Sequence, residues 1–279
     1  MNSNSANLPL RIFRSLKYRG GRMVFGNWTS RRVRAYLDRE GLTDLIARAG
    51  SALDSTGADA SDYALLHSFV RHRKPQYVLE CGTGLTTWVI ADALKKNVEE
   101  SQHSASVPIV VSMEDNDAWF DQADRCLPAE FRPYVQLIKS GRVYDHYSII
   151  FGVRYAEIPD YPYELMWVDG PVARYTSSEF SWETEDYEHI AILDLVRLLQ
   201  RRNLTLTVLI DNLKRTQMAY ACLFKQGTIK CYTHWSNVGV LDSVTANDLV
   251  LNTGSYIPNF DRIVPKAKPW KAPRFFDQK

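Results

Sequence analysis

The stretch Gln76–Trp88, reading Gln-Tyr-Val-Leu-Glu-Cys-Gly-Thr-Gly-Leu-Thr-Thr-Trp, does most to limit how this chain can fold. A short apolar run ends in an acid, two glycines flank one residue, and two threonines come just after Leu85. The pattern predicts a buried strand, a tight turn whose backbone can approach a ligand closely, and then a helix. In an open α/β sheet, nucleotide-like cofactors bind at the carboxyl ends of such strands. The dinucleotide fingerprint Gly-x-Gly-x-x-Gly is incomplete here, because Thr87 stands where its third glycine would be. A phosphate loop would need a Lys directly after its last glycine, and none occurs before Lys95.

The rest of the chain alternates in kind. Strand-like runs fall at Tyr77–Glu80, Ile109–Met113, Val135–Lys139, Leu165–Val168 and Leu206–Ile210. Helical patterns at Thr86–Lys95, Asp117–Leu127 and Asp186–Arg201 fit between them, which predicts a parallel sheet with right-handed crossovers. The ending differs: a helix from Thr216 to about Phe224, then strand-like Ile229–His234 and Leu249–Asn252, read as an antiparallel pair at the sheet edge. Lys96–Val107 reads as a polar loop insertion. The expected fold is therefore α/β, a Rossmann-like seven-stranded, mostly parallel sheet with an antiparallel C-terminal edge and helices on both faces.

Two parts are expected. Residues 1–58 read as a basic helical extension, with Lys and Arg but no acid from Arg11 to Arg34. Residues 59–279 read as the α/β domain, entered by a helix that Asp59 or Ser61 caps and that stops before Pro75. With 45% apolar residues among 279 the chain can bury a large core, and a net charge of +2 gives no overall reason to expect a nucleic-acid partner. Cys81, Cys126, Cys222 and Cys231 are widely spaced, so they read as reduced thiols, neither a disulfide frame nor a zinc site. No signal-peptide pattern or membrane-spanning apolar run is visible, so a cytoplasmic protein is expected.

Several strand ends carry polar groups that should share one rim. Ile109–Glu114 ends in an acid able to accept both hydroxyls of a ribose, while Asp115, Asn116 or Asp117 reads as the cap of the next helix. Val135–Lys139 leads into the small turn Ser140-Gly141. Leu165–Val168 ends in Asp169-Gly-Pro, and Leu206–Ile210 ends in Asp211-Asn212. Three oxygen ligands, Asp169, Asp211 and Asn212, converging there would suit one hard divalent cation. The plainer alternatives are contact of Asp169 with cofactor or substrate, and helix capping by Asp211-Asn212.

Taken in order, Glu80–Gly84, Glu114, Asp169-Gly-Pro and Asp211-Asn212 resemble the class I S-adenosylmethionine-dependent methyltransferases, whose first motif is Glu-x-Gly-x-Gly-x-Ser/Thr. The resemblance spans about 200 residues. It implies S-adenosylmethionine as cofactor, held by Glu80, Gly82, Thr83 and Gly84, with Thr86 or Thr87 near its carboxylate. It also implies Glu114 on the ribose, Ser140 and Gly141 bordering the adenine, and Asp169 beside the cofactor. The Asp169, Asp211, Asn212 set resembles the magnesium site of the catechol O-methyltransferase branch. The sequence departs from that branch at Val172, where the branch carries a lysine base. Asp-Gly-Pro is also similar to bacterial methyltransferases of type 24 and to plant enzymes that methylate glucuronic acid on xylan.

Without the lysine, a base would come from Asp169, His146 or His189, the last expected on the helix Asp186–Arg201; Asp169 and His189 are the two catalytic candidates carried forward. The aromatic and polar segment Arg174–Glu185 reads as an acceptor loop over the rim. The expected reaction is methyl transfer to a small-molecule or saccharide hydroxyl, by a protein with no transmembrane segment that forms a homodimer. Two readings of other classes compete: a nicotinamide-dependent oxidoreductase with the fingerprint relaxed at Thr87, and a non-catalytic binding module built on the same fold.

Overall fold

A computed structural model describes residues 31–53, 59–101, 106–148, 150–171, 174–175, 188–201, 203–225, 228–231 and 238–250. The acceptor segment after Tyr175, up to residue 187, and Val172 lie outside them, as do residues 1–30 and 251–279.

The chain enters through α1 (31–39) and α2 (Leu42–Ala52). Then come α3 (Ala60–Arg73), β1 (Tyr77–Cys81) and α4 (Leu85–Glu100). Next are β2 (Ile109–Glu114), α5 (Asp117–Cys126) and β3 (Val135–Lys139). A hairpin of β4 (Arg142–Tyr147) and β5 (Ile150–Tyr155) precedes β6 (Leu165–Val168). The short pieces β7 (Arg174–Tyr175), β8 (Glu188–His189) and β9 (Ala191–Ile192) lead to α6 (Asp194–Arg201). The chain then runs through β10 (Leu206–Ile210), α7 (Lys214–Leu223), β11 (Ile229–Cys231) and β12 (Gly239–Val244).

The main sheet has the order β11-β12-β10-β6-β1-β2-β3. The strands from β10 to β3 are parallel and β12 runs antiparallel to β10. These six form the body of the sheet, and only the three-residue β11, paired with β12, brings it to the expected seven. The fold is Rossmann-like, with β1 central and the strand order reversing beside it, which opens a crevice at the carboxyl ends of the strands.

Alternation along the strands feeds two cores. Val78, Val110, Leu165, Trp167 and Leu209 pack with α2, α3 and α4 on one face. Leu79, Met113, Met166, Val168 and Ile210 pack with α6, α7 and the β5–β9 layer on the other. The same alternation sends Glu80 and Ser112 toward α4, which decides who their partners are.

Three expectations are corrected. First, Lys96–Val107 is not all loop, because α4 continues to Glu100. Its last turns are held by the pairs Lys96–Asp92 at 2.7 Å and Lys95–Glu99 at 2.6 Å, and by Asn97 donating to the Val70 carbonyl at 2.9 Å. Second, the helix drawn from Asp186 begins only at Asp194, and His189 lies in β8, paired with Arg174. The run Ile190–Leu193 is continuously apolar and contributes β9, which lies parallel to β5. Gly152 permits that approach: a Cβ there would lie 2.4 Å from the Ala191 carbonyl oxygen. Third, of the edge strand expected at Leu249–Asn252, Leu249 forms only a bridge to Phe224 while Leu251 and Asn252 lie outside the described residues, and Gly239–Val244 pairs with β10 at the edge. The described residues contain no helix long and apolar enough to cross a membrane.

Candidate active site

The turn after β1 forms the floor of the crevice. Gly82 has φ 99°, a conformation that favours glycine, and it presses against the turn after β6. A Cβ on Gly82 would lie 3.3 Å from the Gly170 nitrogen and 3.6 Å from Asp169 Cβ. The Gly170–Pro171 peptide is cis. Gly82, Thr83 and Gly84 are partly open to the crevice, whereas Thr86 and Thr87 are buried.

Thr87 is fully used inside the protein. Its hydroxyl donates to Glu80 Oε2 at 2.7 Å and accepts from the Gly84 N–H at 3.1 Å. Thr83 Oγ1 and Ser112 Oγ stand 3.2 and 3.3 Å from it. The residue that breaks the dinucleotide fingerprint is therefore what ties the turn to the acid beneath it. Glu80 is completely buried, and its Oε1 has no hydrogen-bond partner. Burial lifts its carboxyl to about 7, against the hydroxyls of Thr86, Thr87 and Ser112, which pull the other way. Glu80 lies under the turn and not on the crevice wall, so its charge reaches the crevice only across a low-dielectric layer.

Glu114 sits at the end of β2, 3% exposed. Its Oε1 accepts from the backbone N–H groups of Asp115 at 3.0 Å and Asn116 at 2.8 Å, and its Oε2 from that of Thr83 at 3.3 Å. Burial raises its proton affinity, and the Asn116 and Thr83 amides counter it. Capping of α5 falls to Asn116, whose side chain accepts from the Trp119 N–H at 3.1 Å. Ser140, at the end of β3, is buried and accepts from the Glu157 N–H at 3.1 Å, while Gly141 is exposed beside it.

Across the crevice, Asp169 ends β6 and Asp211 follows β10, their strands directly paired. Asp169 is open to the crevice but surrounded by protein on its other sides. That enclosure, followed by the Asp211 charge, pushes its carboxyl well above the usual range, and burial raises Asp211 as well. Glu80 and Asp62 add repulsion on Asp169, and Asp59 does so on Asp211. The N-terminus of α3, read from sequence only as a helix start, thus contributes acids to the rim. Asp211 is not the cap of α7: Leu213 precedes that helix, and the Asn212 N–H bonds the Asp211 carboxylate. Asn212 is exposed at the same edge.

The two histidines fare differently from Asp169. His146 is exposed near the hairpin tip, paired with Phe151 in register and 4.9 Å from its ring, away from the Arg142–Tyr155 end that meets the rim. His189 is described only by its backbone in β8, outside any helix. Among the described residues, no three His, Cys, Asp or Glu side chains are gathered as a metal site.

Sequence reading missed Tyr155. This tyrosine is 1% exposed, and its hydroxyl accepts from the Gly82 N–H at 3.1 Å and donates to the Met113 carbonyl at 3.0 Å. It comes from the β4–β5 hairpin, so no signal near the glycine turn could have indicated it.

No family model matches this chain, and no curated protein matches it. Among solved structures it is similar to a methyltransferase from Geobacter sulfurreducens, at 15% identity over 70% of this chain and 81% of that one, TM-score 0.39. It is also similar to the O-methyltransferase TomG from Streptomyces achromogenes, involved in tomaymycin synthesis and in complex with S-adenosylmethionine, at 16% identity over 72% and 90%, TM-score 0.42. A third is an O-methyltransferase from Bacillus cereus in complex with S-adenosylhomocysteine, at 10% identity over 75% and 88%, TM-score 0.40.

Proposed function

We propose that this protein is an S-adenosylmethionine-dependent O-methyltransferase acting on a hydroxyl of a small molecule or saccharide. The observation that carries the reading is the contact between the glycine turn and Asp169, with Asp211 at the end of the strand paired beside it. A group that takes up protons readily therefore stands against the turn suited to hold a nucleoside. S-adenosylmethionine, when bound, supplies a sulfonium methyl that passes to the acceptor oxygen and leaves S-adenosylhomocysteine.

The chain's own residues divide the work. Gly82 and Gly84 leave the backbone bare on either side of Thr83, and Glu114 would meet ribose hydroxyls while it holds the Thr83 N–H. The unpartnered Glu80 oxygen fits a cationic ligand, whose charge would favour ionised Glu80 below the turn. Asp169, with its proton affinity raised by Asp211, receives the hydroxyl proton as the oxygen attacks. Positioning and this proton transfer are the enzyme's main contributions. In an alternative use of the same oxygens, Asp169, Asp211 and Asn212 would hold Mg2+, which would supply charge that lowers the pKa of the acceptor hydroxyl, and Asp169 would then serve as a ligand in place of a base.

Calorimetry with S-adenosylmethionine and S-adenosylhomocysteine tests the cofactor. Heat of binding is expected with both, with affinity for the cationic ligand rising between pH 6 and 8 as Glu80 ionises through about 7. Glu80→Gln should flatten that rise. No heat with either ligand, or tight binding of a nicotinamide dinucleotide instead, overturns the reading.

A further inference from the structure

The underside of the glycine turn is closed by a residue from a distant part of the chain. Tyr155 ends β5 in the hairpin that takes the place of a helix in the crossover from β3 to β6. Its hydroxyl meets the Gly82 N–H and the Met113 carbonyl, joining the end of β1 to the end of β2. The Gly82 N–H also reaches the Met113 carbonyl directly at 3.0 Å, so the three groups close on each other. A Cβ at Gly170 would lie 3.1 Å from the Tyr155 hydroxyl and 3.0 Å from Gly82 Cα, so the turn after β6 packs on the same spot. Three strand ends of the proposed cofactor site thus meet at one phenol.

The other side of Tyr155 is anchored as well. Its backbone N–H donates to Asp194 Oδ1 at 2.9 Å, and Asp194 is fully buried at the start of α6. The hairpin strands are tied to the same helix: Asp145 of β4 accepts from Arg154 at 2.7 Å and from Arg197 at 2.6 and 2.7 Å. A phenol fixed at its ring by the core and at its backbone by α6 has little freedom to follow the turn, so the turn must follow it.

We infer that Tyr155 is a positioning residue, which holds the Gly82 amide and the crossing of the two turns in the shape that receives the cofactor. This rests on the methyltransferase reading for the identity of the ligand, though not for the geometry. Burial keeps the phenol protonated throughout the working pH range, so it stays a donor to Met113.

The test compares Tyr155→Phe with Tyr163→Phe. Tyr163 also buries a phenol, which donates to the Pro159 carbonyl at 3.0 Å, but it lies just before β6, at the opposite end of the strand from the glycine turn. Two readouts are taken: S-adenosylhomocysteine affinity by calorimetry, and amide hydrogen exchange at Gly82 and Thr83. Tyr155→Phe should weaken binding about tenfold, as loss of one buried hydrogen bond implies, and speed exchange at Gly82 by a smaller factor, because its N–H keeps the Met113 carbonyl. Tyr163→Phe should leave both at the parent level, even where the two variants lose the same thermal stability. Parent-like affinity in Tyr155→Phe, or equal losses in both variants, overturns the inference. If the parent itself binds no S-adenosylhomocysteine, the proposed function falls, and exchange decides alone: unchanged exchange at Gly82 in Tyr155→Phe overturns the inference.

Discussion

Glu114 ends β2 and Asp169 directly follows β6, the strands that flank β1, and removal from water raises the proton affinity of both, through burial at Glu114 and through the enclosing protein around the crevice-facing Asp169. Their neighbours then act in opposite directions. On the β1–β2 side, backbone amides surround Glu114 and hydroxyls surround Glu80, and these donors counter part of the effect of burial, which still leaves both raised. On the β6–β10 side, the nearest groups to Asp169 are other carboxylates, first Asp211, then Glu80 and Asp62, and they add to it. An acid whose neighbours are donors serves as an anchor, whereas an enclosed acid whose neighbours are acids keeps hold of a proton. The first arrangement suits binding and the second suits proton transfer.

The largest expected effect comes from removing the proposed proton acceptor. Asp169→Asn should lower methyl transfer about 10²- to 10⁴-fold, the usual weight of a general base, while S-adenosylhomocysteine binding changes little. Near-parent turnover would end the claim that the two halves do different work. Glu114→Gln attacks the other half. Its amide nitrogen must face either the Thr83 N–H or the Asp115 and Asn116 N–H groups, leaving a donor against a donor. Cofactor affinity should fall about tenfold through the distorted turn, and turnover at saturating cofactor should stay close to parent. If Glu114→Gln instead lowers turnover with affinity intact, the division between the halves is wrong.

Asp211→Asn sharpens the comparison by turning an acid neighbour into a donor. Asp169 should then release its proton more readily, and the pH at which activity rises should move down. The same shift sets the sign for stability. In the folded parent Asp169 binds a proton more tightly than the unfolded chain does, so stability falls as pH climbs from the unfolded carboxylate value toward the folded one. Asp211→Asn should therefore be more stable than parent at neutral pH, seen as a higher Tm. A pH–activity profile that does not move would show that the two carboxyls titrate independently.

What could be read from sequence divides along another line, local against distant. The β1 turn, Glu114 at the end of β2 and the Asp169 and Asp211 strand ends were all legible, because each is a strand with its polar group directly after it. The helix α4 was placed correctly, but its end was not, since Asn97 is held by the Val70 carbonyl and by Arg71 of α3. The β4–β5 hairpin and β9 were missed because they depend on Gly152 meeting Ala191 across 39 residues of chain. Tyr155 was missed for the same reason, and so were Asp59 and Asp62 as neighbours of the aspartate pair. Local pattern shows where a rim residue stands, and only the packed fold shows what faces it.

Asp194 tests the rule on the smallest scale, because it lies between the two cases. It is fully buried; the Tyr155 N–H donates to its Oδ1, the Arg154 charge and its own N–H add smaller support, and its Oδ2 has no hydrogen-bond partner. These few do not offset burial, and its carboxyl is lifted to about 8. The unfolded chain releases that proton near an ordinary value of about 3.9, so the folded state holds an extra proton across the interval between. Stability should fall as pH rises through that window, by at most about 1.4 kcal/mol per unit from this group. Asp194→Asn keeps an acceptor for the Tyr155 N–H and carries no charge to bury. Its Tm should match the parent near pH 4 and exceed it by a few degrees at pH 8, with the gap constant above that. A gap that shrinks as pH rises would mean that Asp194 is ionised and stabilising, and that a few donors outweigh burial in this core.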